Sequence, residues 1–415
     1  MPQIDDLRKP RAYGVAVSEH GHHHHHEHAD LALGPRVERA VWIAVVAWGV
    51  ATLLGLVLLW PGDGPSIAYD GGERVDAQVV AVTVQPCAGT EASDLVDCRS
   101  LSLLLTSGPT AGETVTIELA VTAGEGRVPG TGDDVVLARV VAEDGTALYS
   151  FLDYQRSGAL AVLVVLFCLA VLVFGRWKGL GALAGLAVSV IVLVAFVLPA
   201  LLEGANPVLV AVVGASIIAY ASLYLAHGFG APTNVALLST LMSLALTGLL
   251  AWVFIEAATL TGLSDENALF LDALGVRLDM RGLLLAGIVI GSLGVLDDVT
   301  VTQVSAVGAL RASAPESNAG ELYRRAISVG RDHVSSTVNT LFLAYAGAAL
   351  PLLLLFSQTG RSVGGAVTGE DVAIEVVRTL VGSIGLIASV PISTWLAASL
   401  VSRAGDGGAA SDAAG

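Results

Sequence analysis

The sequence predicts an all-α polytopic membrane bundle of about eight transmembrane helices, with a small extracytoplasmic all-β domain between the first helix and the second. Three observations predict it. Hydrophobic residues make up 54% of the chain and charged residues only 14%, against about 25% charged in a soluble domain. The mean hydropathy is +0.73. Apolar runs long enough to cross a bilayer recur along the chain, and one long acidic insert interrupts them.

Residues 1–39 are polar and of low complexity and read as a disordered cytoplasmic tail. The tail holds His22, His23, His24, His25, His26 and His28, a weak candidate for divalent-metal contact. It has neither the fixed spacing nor the cysteine partner of a structural zinc site. Residues 40–60 form the first apolar span, too long and too far along the chain for an ordinary signal-peptide core.

Residues 61–155 carry 15 Asp and Glu against 4 Arg, a net −11 out of −16 for the whole chain. Five β-rich runs, Arg74–Val84, Ser100–Thr106, Glu113–Val121, Val135–Ala142 and Ala147–Tyr154, alternate with glycine-rich breaks. Five short strands suit a small antiparallel barrel or sandwich, an oligonucleotide-binding-type barrel among them. The acidity excludes a nucleic-acid ligand. Cys87 and Cys98 lie close together in this insert; outside the membrane they would form a disulfide, the alternative being two free thiols.

Residues 156–402 form a seven-helix membrane domain, with spans at about 157–175, 180–200, 207–226, 234–256, 282–310, 335–356 and 374–400; residues 403–415 read as a disordered tail. Eight spans put both ends on one side. Arg36 and Arg39 before the first span, then Arg176, Lys178, Arg311, Arg324, Arg325, Arg331 and Arg403, make that side cytoplasmic. The connector at 311–331, with Arg324 and Arg325 beside Leu322 and Ile327, suggests a short interfacial helix.

The candidate site centres on residues 287–305, where adjacent carboxylates, Asp297 and Asp298, sit inside an apolar span. A carboxylate there costs at least about 2.5 kcal/mol and marks function. Gly287, Gly291, Gly294, Asp298, Thr302 and Ser305 share one helical face, small enough for another helix to approach, so Asp298 is expected to face inward, with Asp297 about 100° round. On the seventh span Asp332, Ser336 and Asn339 share a face, and Asn339 is expected to point into the bundle. Ser239, Ser243 and Thr247 repeat every four residues on another span, as a pathway lining or as hydroxyls bonded to their own helix.

At these residues the chain resembles the YibE/F family of bacterial multi-pass membrane proteins. The matching stretches are 291–303, 330–355 and 377–394, and the resemblance covers roughly 155–400. It implies one leading helix with an extracytoplasmic insert and a predicted permease of unknown substrate. Asp298 stands where the family has its intramembrane Asp; Asp297 departs from the commoner apolar neighbour, which counts against a two-carboxylate mechanism.

The expected function is that of a secondary transporter with a midplane site built from Asp298, Asp297, Thr302, Asn339, Asp332 and Ser336, taking a small solute or ion. The alternative is a non-transporting scaffold that docks a partner through the extracytoplasmic domain. No enzyme activity and no cofactor are expected: no Walker A motif and no His-Glu-x-x-His occur, and adjacent aspartates on one helix diverge. The expected partners are the lipid bilayer and a small solute or ion, not nucleic acid; the row at Gly291 permits a homo-oligomer interface as readily as an internal one.

Overall fold

The structure is a computed structural model that describes residues 31–62, 72–85, 96–122, 127–263, 278–358 and 368–412, apart from 32 and 143. The His-rich tract and Cys87 lie outside the described residues. The chain divides into two compact units, one of Thr52–Gly228 and Glu266–Ala286, the other of Met1–Ala51, Phe229–Asp265 and Gly287–Gly415.

Helix α1 (Pro35–Leu58) is followed by the β insert, whose strands are β1 (Glu73–Gln85), β2 (Val96–Leu105), β3 (Thr114–Thr122), β4 (Asp134–Val141) and β5 (Ala147–Tyr154). They form one antiparallel sheet in the order β3-β2-β1-β4-β5. This is a Greek-key order: β4 returns to lie beside β1. Alternation decides the buried face. Val75, Ala77 and Val79 of β1 lie inside, with Leu101, Leu103 and Leu105 of β2, Ile117 of β3 and Val135 and Leu137 of β4. Register brings them together, Val79 opposite Leu103, Ala77 opposite both Leu105 and Val135, and Val75 opposite Leu137. The sheet curls into a half-barrel, and its two edge strands, β3 and β5, flank an open cleft of about 590 Å³. Tyr149 Oη on β5 reaches Thr110 Oγ1 just before β3, at 2.9 Å. Cys98 is disulfide-bonded and Cys168 is a free thiol.

Where the sheet hands over to helix, Arg156 donates to Asp153 Oδ2 at 2.6 Å and the Tyr154 N–H donates to Asp153 Oδ1. The guanidinium, then the backbone N–H, hold the Asp153 carboxyl below its ordinary value.

Helix α2 (Ser157–Val192) covers two of the predicted spans. Arg176 has φ 50° and ψ −128°, outside the helical region. A methyl group added at Gly179 would strike the carbonyl oxygen of Val171, eight residues back, where a straight helix would separate them by about 12 Å. The chain therefore folds back at Gly175-Arg176-Trp177-Lys178-Gly179, and glycine lets the two arms meet. A π-turn (Leu193–Val197) leads into α3 (Leu198–Leu202); Pro199, which has no N–H to give, follows the shifted ladder. Helix α4 (Pro207–His227) is capped by the Asn206 side chain, which accepts from Val208 and Leu209 N–H. Its contact with α2 runs over Gly181 and Gly185, which meet the backbone of Leu225 and Ser222.

The other unit holds α5 (Ala231–Ala257), α6 (Met280–Ser313, from Gly287 on), α7 (Ala319–Ala348), α8 (Leu350–Gln358) and α9 (Glu370–Asp412). The connector of 311–331 is not a separate interfacial helix. Asn318 caps at Glu321 N–H, and from Ala319 a single helix runs to Ala348, because no glycine or proline pair stops it. The break comes at Ala349, just ahead of Pro351, whose ring cannot continue the ladder. The last helix extends to Asp412, into residues expected to form a tail.

Among the described residues six helices are long and apolar enough to cross a membrane: Pro35–Leu58, Ser157–Leu202, Pro207–His227, Ala231–Ala257, Met280–Ser313 and Glu370–Ser402.

Candidate functional site

The site is built on α6 and α7, an antiparallel hairpin closed by a short turn. Asp298 lies 15 residues before the end of α6 at Ser313, and His333 lies 14 after the start of α7 at Ala319. Nearly equal distance from one turn brings them abreast. His333 Nε2 stands 3.8 Å from Asp298 Oδ2, close enough for an ion pair when the imidazole carries a proton. Two further contacts keep the register: Gly330 against Gln303 and Tyr345 Oη against Gly291. Asp298 lies close to the middle of α6, a helix of 34 residues and about 51 Å, longer than the hydrocarbon layer is thick.

The orientation expected for Asp298 is reversed. Its side chain is 72% exposed, whereas Oδ1 of Asp297 is shielded from solvent. The physical cause is the bulk of the neighbours. Leu296, Val299, Val304 and Val307 fill the interior side of α6, which carries Asp297 partly inward and turns the glycine face outward. Asn339 is likewise exposed, not interior. The interior face of α7 is a stripe at every fourth residue: Leu322, Ala326 and Gly330 are buried, and Val334 and Val338 pack against Val299, Leu386 and Val390. Asp332 and Ser336 lie with Asn339 on the open side. Thr302 is half-buried and donates its hydroxyl to the Asp298 carbonyl at 2.8 Å. The structure thus brings His333 to Asp298 and leaves Asp332, Ser336 and Asn339 along the same open face of α7.

Residues that pattern reading passed over lie behind this face. Thr240 Oγ1 of α5 and Thr300 Oγ1 of α6 are 2.6 Å apart, and Thr394 Oγ1 of α9 donates to Gln303 Oε1 at 2.9 Å. All four residues are fully buried. Gln303 Nε2 has no hydrogen-bond partner among the described residues. The stripe of Ser239, Ser243 and Thr247 is buried too, and each hydroxyl returns to the carbonyl four residues back, at 2.8 Å. These hydroxyls are satisfied within α5, and the side of α5 they occupy packs on α9, where Gly385 makes room for Thr247. A signal for His333 was in the sequence: it stands within one residue of the position symmetric to Asp298 about the 314–318 turn.

Chemically the pair joins a carboxylate, which accepts hydrogen bonds and binds cations, to an imidazole, whose ring nitrogens can donate or accept a hydrogen bond. Among the described residues no group of three or more His, Cys, Asp or Glu side chains is placed to hold a metal ion.

A family model for YibE/F-like proteins matches residues 163–403, which include every residue of this site. The chain is a member of the YibE/F-like family. No curated protein and no solved structure matches it. The match begins within α2, so the β half-barrel of this YibE/F-like chain lies outside the matched region.

Proposed function

We propose that this YibE/F-like protein is a secondary transporter whose coupling site is the Asp298–His333 pair. The observation that carries the reading is that pair, held abreast on two long helices at a depth where a carboxylate costs at least about 2.5 kcal/mol. A group kept there at that cost, and left open on one side, is suited to take up and release a cation or proton rather than to brace a core. Asp298 binds the cation, His333 supplies or accepts the balancing proton, and Asp332, Ser336 and Asn339 line the approach along α7.

In this reading the chain crosses the bilayer eight times. The fold-back at Arg176 divides Ser157–Leu202 into two spans, and α7 with α8 supplies the one that charge keeps out of the apolar six. Both ends are cytoplasmic, and the half-barrel lies outside with Cys87 paired to Cys98. The test is binding of a panel of cations and anions to the purified protein at several pH values, wild type against Asp298→Asn and His333→Gln. One saturable ligand, lost in both variants and accompanied by proton release, supports transport. No ligand in any form, with variants that merely unfold earlier, makes the pair structural.

A second reading is carried by the cleft between β3 and β5: a scaffold that docks a partner on its outer domain. Removing residues 64–150 would then abolish function while leaving ion binding intact; a fully functional deletion rules it out.

A further inference from the structure

We infer that the open face shared by α6 and α7 docks a second copy of this chain, so that two Asp298–His333 pairs meet across a two-fold interface. The inference rests on the same site as the transport reading and adds to it what completes the site.

The face is unusual for a surface at that depth. On α6, Gly287, Gly291, Gly294, Asp298 and Ser305 are exposed; on α7, Arg331, Asp332, Ser336 and Asn339 are exposed. A side chain added at Gly287 or Gly294 would meet nothing within 4 Å. Acyl chains offer no hydrogen bonds to carboxylates and amides, so lipid alone does not cover such a face. Whatever covers it must answer polar groups and also come close to the backbone.

A second copy meets both demands. The face carries exposed acceptors, Asp298 and Asp332, beside exposed donors, Arg331 and Asn339, so it is complementary to itself. A two-fold axis makes the two contacting surfaces the same patch, and the carboxylates of one copy then face the guanidinium and amide of the other. The row Gly287, Gly291, Gly294 lets the two α6 backbones approach closely. A merely water-filled groove would need no such row.

The test uses the full chain in its membrane, with Cys168→Ser as background. Gly294→Cys adds a thiol where there is room for it. Oxidation is expected to convert most of this variant to a disulfide-linked species of twice the 42.3 kDa chain. The background, and Leu249→Cys on the exposed side of α5, are expected to stay monomeric. A Gly294→Cys protein that stays monomeric overturns the inference, whether its thiol reacts with a membrane-impermeant maleimide (an aqueous groove) or stays unreactive (cover by lipid or by the chain itself). As a second measurement, Gly294→Trp should lower the dimer fraction in detergent about ten-fold by light scattering; an unchanged mass also overturns it. Dimer without any bound ion retains the interface and removes the transport reading. Ion binding by a monomer does the reverse.

Discussion

Replacing Gln303 with Leu should leave the protein as stable as before or make it more stable by up to about 2 kcal/mol. Ordinary expectation runs the other way, since a buried hydrogen bond is lost. The lost bond is Thr394 Oγ1 to Gln303 Oε1 at 2.9 Å, worth about 1 kcal/mol net. Thr394 can recover it by returning its hydroxyl to the Val390 carbonyl, as Ser393 does to Ser389 one residue earlier on α9. Against that loss stands Nε2, fully enclosed and without an acceptor among the described residues, a group whose burial costs about 1–3 kcal/mol. Leucine has nearly the shape of glutamine and brings no such donor. The assay is reversible unfolding in mixed micelles followed by tryptophan fluorescence, with ion binding measured on the same samples. Destabilisation by more than about 1 kcal/mol would refute the reasoning, because it would mean that Nε2 already has a strong acceptor. Stability kept while ion binding is lost would place the amide in the site, a familiar exchange between stability and function.

Four further outcomes are expected. Gly330→Ala puts a methyl carbon 2.7 Å from Gln303 Nε2 and against Val390, so it should cost about 1–3 kcal/mol; Gln303→Ala in the same chain should restore only part of it, a coupling that a double-mutant cycle reads directly. Gly181→Leu drives a side chain into the Leu225 carbonyl and should separate α2 from α4, lowering the yield of folded protein in detergent, whereas Gly158→Leu, with open space around it, should not. Leu103→Ala empties a fully buried position of the half-barrel and should cost about 2–5 kcal/mol, read as loss of β signal at lower denaturant. Asp153 has a folded value held below its ordinary 3.8, so its contribution is present at neutral pH and is lost as the pH falls through that lowered value. Asp153→Asn should therefore lower the melting temperature slightly at pH 7, and the difference should vanish in strong acid; a difference that persists there refutes the assignment to charge.

The strands and spans were legible because one property repeats in each. Alternation located all five strands to within a few residues, and Ala147–Tyr154 coincides with β5. Apolar length located the six helices long and apolar enough to cross, though not the span expected at 335–356, and the Gly175–Gly179 reversal carries the glycines that let two helices fold together. Strand order was not legible. The half-barrel needs β4 to pair with β1 across the sheet, and alternation says which face is buried but not which strand is the neighbour.

The facing of Asp298 was misread for a reason that applies beyond this chain. A row of small residues at helical spacing shows that something may approach closely, but not from which side. On α6 the interior was claimed instead by Leu296, Val299 and Val307, which gain more from mutual burial than glycines can. The same competition sends Val334 and Val338 inward on α7 and leaves Asn339 out. What sequence could have supplied is the partner. In a tight hairpin, positions nearly equidistant from the turn are opposed, as Gln303 is to Gly330. Counting outward from residues 314–318 reaches His333 one residue before it reaches Asp298, so sequence alone can bring an intramembrane carboxylate and its imidazole to within one residue of each other.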